Sequence, residues 1–302
     1  MARNRPITLS HRLEYAAART LQILICALPA SAAREIGAGL GSLAYAVGIR
    51  REVVLDHLSR VFGEERSKAE LARIARESYR NFGRTTFEFG RFPRLDARAI
   101  EETVSLEGGE HLDRALAEGK GAILVAGHFG NWELAATLAT RGYPLTFLVG
   151  EQHNTLVDGL MNRLRARFGV EIVPLTGSLM GVLRALRRNR IVAMLSDQDA
   201  GRSGIFVDFL GLPASTPYGP GRIAARTGAP VVPGNAVRRP GGRHSLVFRP
   251  PVPPAPEGAS PEEAARHYTQ AYTTALEDFV RRHPEQYFWM HRRWKTRPPE
   301  AV

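Results

Sequence analysis

Ala122-Ile123-Leu124-Val125-Ala126-Gly127-His128-Phe129-Gly130-Asn131-Trp132-Glu133 opens the reading of this chain. Its first five residues form a short apolar run of the kind that fills a buried β-strand. A histidine between two glycines directly after such a run falls on a strand-to-helix turn, where α/β proteins carry their chemistry. On one continuous helix, residues five apart would point about 140° away from each other. With His128 in the turn and Glu133 in the first helical turn, the two side chains can instead converge. Gly127 and Gly130 supply backbone freedom for the bend, and Asn131 is the candidate N-cap of the helix. The pair suits deprotonation of a hydroxyl by histidine, with a carboxylate on the other ring nitrogen. The plainer alternative is a turn-capping histidine and a glutamate that complements a helix dipole. The spacing is not that of the helical H-E-x-x-H zinc pair, so no metal is expected.

Outward from this stretch, the pattern from about Val104 alternates strands and helices. Strands are expected at 122–126, 145–149, 171–174, 191–195, 205–209, 230–237 and 245–249. Helices are expected at 132–141, 155–168, 179–188 and 219–227. That alternation predicts an α/β layer with a central, mostly parallel sheet flanked by helices. Residues 250–261 are a proline-rich connection, and 262–282 read as a last long helix. From Arg50 to Phe92 the chain reads as helices with charged faces. Ser67-Lys68-Ala69-Glu70 is a capping box opening one of them, and Phe92-Pro93 closes the last.

Asp197-Gln198-Asp199 also follows a buried apolar run and so lies at a second strand end. It could orient a hydroxyl or place charge beside an imidazolium. It also matches the D-x-D motif of cation-dependent glycosyltransferases, a short signal without a P-loop or G-x-G-x-x-G beside it. Farther on, Pro284-Glu285-Gln286-Tyr287-Phe288-Trp289-Met290-His291-Arg292-Arg293-Trp294-Lys295 interleaves tryptophan with cations. Such a run suits a headgroup level, a pocket for a phosphorylated glycolipid, stacking on nucleic-acid bases, or a tail packed on the core.

Together, the H-x4-E pair His128 and Glu133, the Asp197–Asp199 run followed by Gly204-Ile205-Phe206-Val207-Asp208-Phe209-Leu210-Gly211, and the closing run resemble the lipid A biosynthesis (lauroyl/myristoyl, Kdo-lipid A late) acyltransferases over nearly the whole chain. The resemblance implies a glycerolipid-acyltransferase-like fold. It implies an O-acyltransferase that moves a fatty acyl chain from acyl carrier protein to a hydroxyl of a lipid A precursor, with His128 and Glu133 as general-base pair and no cofactor. It implies Asp199, rather than Asp197, as the third catalytic residue. Substrate contacts are expected from Asn131, Asp197, Arg165 and Arg167, and from Arg292 and Arg293 in the closing run. Oxyanion donors are expected from N–H groups near Gly130 or from an arginine. Glycerolipid acyltransferases carry F-P-E-G-[TS]-R where this chain has Gly204–Phe209 and then Ala214-Ser215-Thr216-Pro217, which favours a glycolipid acceptor. Acyl-CoA-dependent phosphatidylinositol mannoside acyltransferases, of the same wider family, remain the alternative.

The chain has 302 residues, a formal charge of +11 and one cysteine, Cys26. That length suits one large domain with appendages, and one cysteine excludes an internal disulfide. The positive charge suits nucleic acid, an anionic membrane, or phosphorylated substrates and acidic carrier proteins. No zinc-finger, RNP-like or leucine-zipper pattern supports nucleic acid. Residues 20–33 and 36–49 are two apolar stretches separated by Arg34-Glu35, each short of the ~20 residues of a span. They imitate a secretory signal, but a cytoplasmic acyl donor argues for an uncleaved anchor, an interfacial hairpin with Arg12 and Arg19 near headgroups. A tilted span and a buried hairpin are the other readings. The expected layout is therefore 1–49 as membrane-associating helices and 50–302 as the acyltransferase domain. Within that domain 50–103 is a helical lead-in, 104–250 the α/β core, and 251–302 the C-terminal helix and tail. The place implied is the cytoplasmic face of a bacterial inner membrane.

Overall fold

In the computed structural model, residues 7–177 and 179–299 are described, so the outer ends of the first and last expected segments lie outside them. Five helices precede the first strand: α1 (Leu9–Ala27), α2 (Ala30–Ala46), α3 (Arg51–Phe62), α4 (Lys68–Gly90) and α5 (Ala97–Thr103). Three of the starts follow from side-chain caps. Thr8 and Ser67 close capping boxes with His11 and Glu70, and Asp96 caps α5, satisfying N–H groups that have no partner within the helix.

Then come β1 (Val104–Glu107), α6 (Gly109–Ala117), β2 (Ala122–Ala126), a 3₁₀ helix at Trp132–Arg141, β3 (Leu145–Val149) and α7 (Thr155–Ala166). They are followed by β4 (Glu171–Pro174), α8 (Leu179–Arg187), β5 (Ile191–Leu195), β6 (Ile205–Phe209) and β7 (Leu212–Thr216). α9 (Gly219–Thr227), β8 (Val231–Arg238), β9 (His244–Phe248) and α10 (Pro261–Arg282) complete the order. Seven strands form one sheet in the order β1-β9-β8-β2-β5-β3-β4. All neighbours in it are parallel except β8 and β9. The expected α/β architecture with a mostly parallel sheet is present. The central strand β2 is apolar along its length and buried up to Val125, as required of a strand covered on both faces.

Three local expectations are corrected. β6 is not in the central sheet; it pairs antiparallel with β7, a strand absent from the sequence reading, in a separate hairpin. β1 was likewise not anticipated, because four residues carry little periodicity. Residues 132–141 wind as a 3₁₀ helix rather than an α-helix. Thr137 and Thr140 donate to carbonyls three residues back, in step with that tighter winding. Runs of this length are uncommon and mark functional or strained segments.

The N-terminal helices also differ from the expected division. The break falls at Leu28-Pro29, because proline starts the second helix. Arg34 and Glu35 lie inside α2, where Glu35 pairs with Arg80 and Arg84 at 3.6 and 3.5 Å. α2 lies close on α4: a Cβ on Gly37 would come 2.5 Å from the Gly83 carbonyl oxygen, and one on Gly41 would meet the Tyr79 carbonyl. Only glycine permits that approach. α1 packs on α7. Outward, the hairpin exposes Leu13, Leu21, Leu24, Leu40, Leu43 and Val47. Among the described residues, no helix is long and apolar enough to cross a membrane.

Candidate active site

The parallel pairing of β2 with β5 aligns Ala126 with Leu195, so Gly127-His128 and Ser196-Asp197 leave neighbouring strand ends together. Asp197 is almost fully buried and holds His128 twice. Its Oδ1 lies 2.7 Å from His128 Nδ1, and its Oδ2 accepts the His128 backbone N–H at 2.9 Å. Ring and main chain are thereby fixed by one carboxylate, with the proton on Nδ1 and Nε2 left as the free lone pair. The rings of Trp132 and Phe288 stand 5.1 and 6.1 Å from the imidazole. Burial lowers the His128 pKa, but the charge and hydrogen bond of Asp197, helped by the charge of Glu133, outweigh it, and the net shift is upward. For Asp197 burial acts upward, and the charge and hydrogen bonds of His128 reverse it, leaving the carboxyl below its usual range.

Glu133 is not on the imidazole. It is buried and gripped by Arg165, whose Nε and Nη2 donate to its two oxygens at 2.8 and 2.7 Å. A third guanidinium nitrogen donates to Asn162, and the plane stacks over Phe89. The expected His128–Glu133 hydrogen bond is therefore corrected to His128–Asp197. The reason is geometric: a strand-end neighbour reaches the ring, while the 3₁₀ winding carries Glu133 toward α7. Arg165 is occupied by Glu133 rather than presented to an acceptor phosphate. The fork-on-carboxylate geometry is one of the stronger polar contacts in proteins.

Asn131 does not cap the helix. Its Nδ2 donates to Glu88 at 2.7 Å, and its side chain makes no cap bond. The Gly130 N–H, offered above as an oxyanion donor, is spent on the Gln286 carbonyl at 2.9 Å. Asp199 stands apart from the imidazole. It accepts from Gly201 N–H and from the Thr296 hydroxyl, and its own N–H donates to His291 Nε2. Arg293 is buried, donating to the Ser215 carbonyl at 2.6 Å and to the Thr216 hydroxyl, with its guanidinium over Phe209. Arg292 is exposed, and Arg167 lines an open cleft of about 520 Å³ with Arg19 and Arg163. Trp289 and Trp294 are buried in the core rather than set at a headgroup level.

The closing run instead clamps the turn. Phe288 N–H donates to the His128 carbonyl at 3.0 Å, and Phe129 bridges Tyr287. Asn81 and Thr85 of α4 hold the Gly130 carbonyl at 3.3 and 2.8 Å. Arg238 ties Asn81 to Glu88, and its main chain exchanges two hydrogen bonds with Gln286. Gly130 has φ +57°, and a Cβ there would sit 1.7 Å from the Ala236 carbonyl oxygen. These supports went unseen in the sequence, where Asn81, Thr85 and Arg238 carry no motif.

Beside Trp132 and Glu133, an apolar cavity of about 70 Å³ runs between Ala135 and the ends of β2, β3 and β5, lined by Phe147, Ala193 and Met194. Among the described residues no three His, Cys, Asp or Glu side chains gather as a metal-ligand set. Cys26 is remote from the turn, its thiol directed at the Gly90 carbonyl.

Residues 8–296 match the family model described as bacterial lipid A biosynthesis acyltransferase. The lipid A biosynthesis lauroyltransferase of Escherichia coli K12 is 29% identical over 91% of this chain and 89% of its own length. The palmitoleoyltransferase of the same organism is 26% identical over 87% and 85%. A phosphatidylinositol mannoside acyltransferase of Mycobacterium tuberculosis (strain CDC 1551 / Oshkosh) is 30% identical over 72% of this chain and 69% of its own. With nearly its whole length matched, this chain belongs to the bacterial lipid A biosynthesis acyltransferase family.

Proposed function

We propose that the protein transfers a fatty acyl chain from acyl carrier protein to a hydroxyl of a lipid A precursor glycolipid. The observation that carries this reading is the oriented His128–Asp197 pair at adjoining strand ends, in a chain of this family. His128 Nε2 takes the proton of the acceptor hydroxyl, and the oxygen attacks the thioester carbonyl. The carbon–sulfur bond breaks, and the leaving thiolate recovers the proton from the imidazolium. Asp197 holds the tautomer and stabilises the imidazolium, the work assigned to Glu133 in the sequence. Glu133 contributes its field from behind the ion pair with Arg165. The acyl chain enters the cavity beside Ala135 and Ala193.

The acceptor reading follows the two Escherichia coli relatives, matched over most of their lengths; the mycobacterial relative supports a phosphatidylinositol mannoside as the second acceptor. The outward apolar faces of α1 and α2 support attachment to the cytoplasmic face of the inner membrane. Full-length protein from salt-washed membranes, given acyl carrier protein or coenzyme A thioesters with either glycolipid, tests the whole reading by product mass spectrometry. Acylation of the lipid A precursor from acyl carrier protein supports it, with a shorter preferred chain in Ala193→Leu. Acylation of the mannoside alone would replace the acceptor, and no acyl product at all would remove the function.

A further inference from the structure

A second cavity opens on the other side of the 3₁₀ helix from the acyl pocket, with a volume of about 210 Å³. That is far above the ~10–15 Å³ needed for one water. Its walls are Phe92, Leu95, Ala99, Val104 and Leu134, and its rim includes Ala30 at the start of α2. The polar end is incompletely satisfied. Asn131 Oδ1 and His244 Nε2, on side chains 0% and 4% exposed, have no hydrogen-bond partner among the described residues. Buried polar groups are rarely left so. Burial above all brings His244 down to about 4, so it is neutral and adds no charge.

Arg34 reaches this end from α2, lying so close over Gly242 that a Cβ there would be 2.4 Å from the guanidinium. No carboxylate among the described residues pairs with Arg34. Glu88, the one acidic side chain in the lining, is already neutralised by Arg238 at 2.6 Å. Arg91 and Arg94 add cationic character while holding the last carbonyls of α1. The cavity thus combines an unpaired cation, an acceptor lacking a donor, and apolar walls beside a hairpin with an apolar outer face.

We propose that this cavity binds the headgroup of an anionic phospholipid carrying both a phosphate and a free hydroxyl, separately from the acyl-transfer centre. The phosphate pairs with Arg34, the hydroxyl donates to Asn131 Oδ1, and the first methylenes lie against Phe92, Leu95 and Leu134. Asn131 sits within the turn that bears His128, so the bound lipid steadies that turn from behind. The occupant follows from the mixed lining, since a bare anion would satisfy Arg34 and leave both the acceptor and the apolar walls without a partner.

Native mass spectrometry of the full chain in detergent tests this with phosphatidylglycerol, phosphatidylcholine of matched chains, and inorganic phosphate. About tenfold preferential retention of phosphatidylglycerol is expected, abolished in Arg34→Gln and in Ala99→Trp, which fills the cavity. Retention should persist in an excess of the lipid A precursor, which separates this site from the acceptor pocket. Equal retention of the two lipids, or an unchanged preference in Arg34→Gln, overturns the proposal. So does phosphate that displaces phosphatidylglycerol at equal concentration, which would mark a simple anion site.

Discussion

The strand ends of β2 and β5 and the first turn of the 3₁₀ helix each set a nitrogen side chain against a buried carboxylate, His128–Asp197 and Arg165–Glu133. They are built from the same ingredients and do different work. An imidazole can give and take a proton near neutral pH, whereas a guanidinium cannot. In the proposed mechanism the first pair therefore has a chemical cycle, and the second keeps a shape and lends the field of Glu133. A carboxylate in a motif acquires its role from the cation that reaches it.

Three substitutions separate the two pairs, from the largest effect on turnover to the smallest. His128→Ala should lower kcat by roughly 10²–10⁴-fold, the range of a general base, with the protein still folded. A purified variant of near-normal activity would break the comparison at its root.

Asp197→Asn should reduce kcat less, by about tenfold to a hundredfold, and move the pH profile. His128 must be unprotonated to accept a proton, and its pKa is raised, so activity falls as pH drops through a midpoint above 6.5. Losing the charge that raises it leaves burial to act downward, so the acid limb should shift to lower pH. A kcat–pH curve whose acid limb stays in place would assign the raising charge elsewhere.

Glu133→Gln should affect turnover by only a few-fold while lowering stability by roughly 3–5 kcal/mol, the penalty for leaving Arg165 buried without its counter-charge. Denaturant titration beside kcat measures both. A collapse in kcat equal to that of His128→Ala, with stability intact, would return Glu133 to the reacting centre.

The strand-end position of His128 was readable because a buried apolar run followed by glycine-flanked histidine has one common setting, and the parallel sheet followed from the alternation around it. The partner of that histidine was not readable. Asp197 is adjacent only because β2 and β5 pair in register, and pairing register is a tertiary fact. Asp199 looked the better candidate by resemblance, yet its carboxylate lies beyond the strand end and is taken up by the Gly201 N–H and the Thr296 hydroxyl. The tryptophans of the closing run misled for a related reason: composition does not say which way a ring faces. Asn131 does not cap because its side chain is turned toward Glu88, distant in sequence, and its Oδ1 meets no helix N–H.

The clamp on the His128 turn has a consequence for the timing of synthesis. The turn is made early, but the backbone partners at Gln286 and Phe288 emerge roughly 160 residues later, about 10–30 s at ~5–20 residues per second. Until then the Gly130 N–H and the His128 carbonyl lack their partners, and the contact that supplies them is among the longest-range in the chain. A nascent chain on the ribosome thus carries His128, Asp197 and its sheet before the His128 turn is clamped. The turn is completed by the arrival of the chain's own late residues.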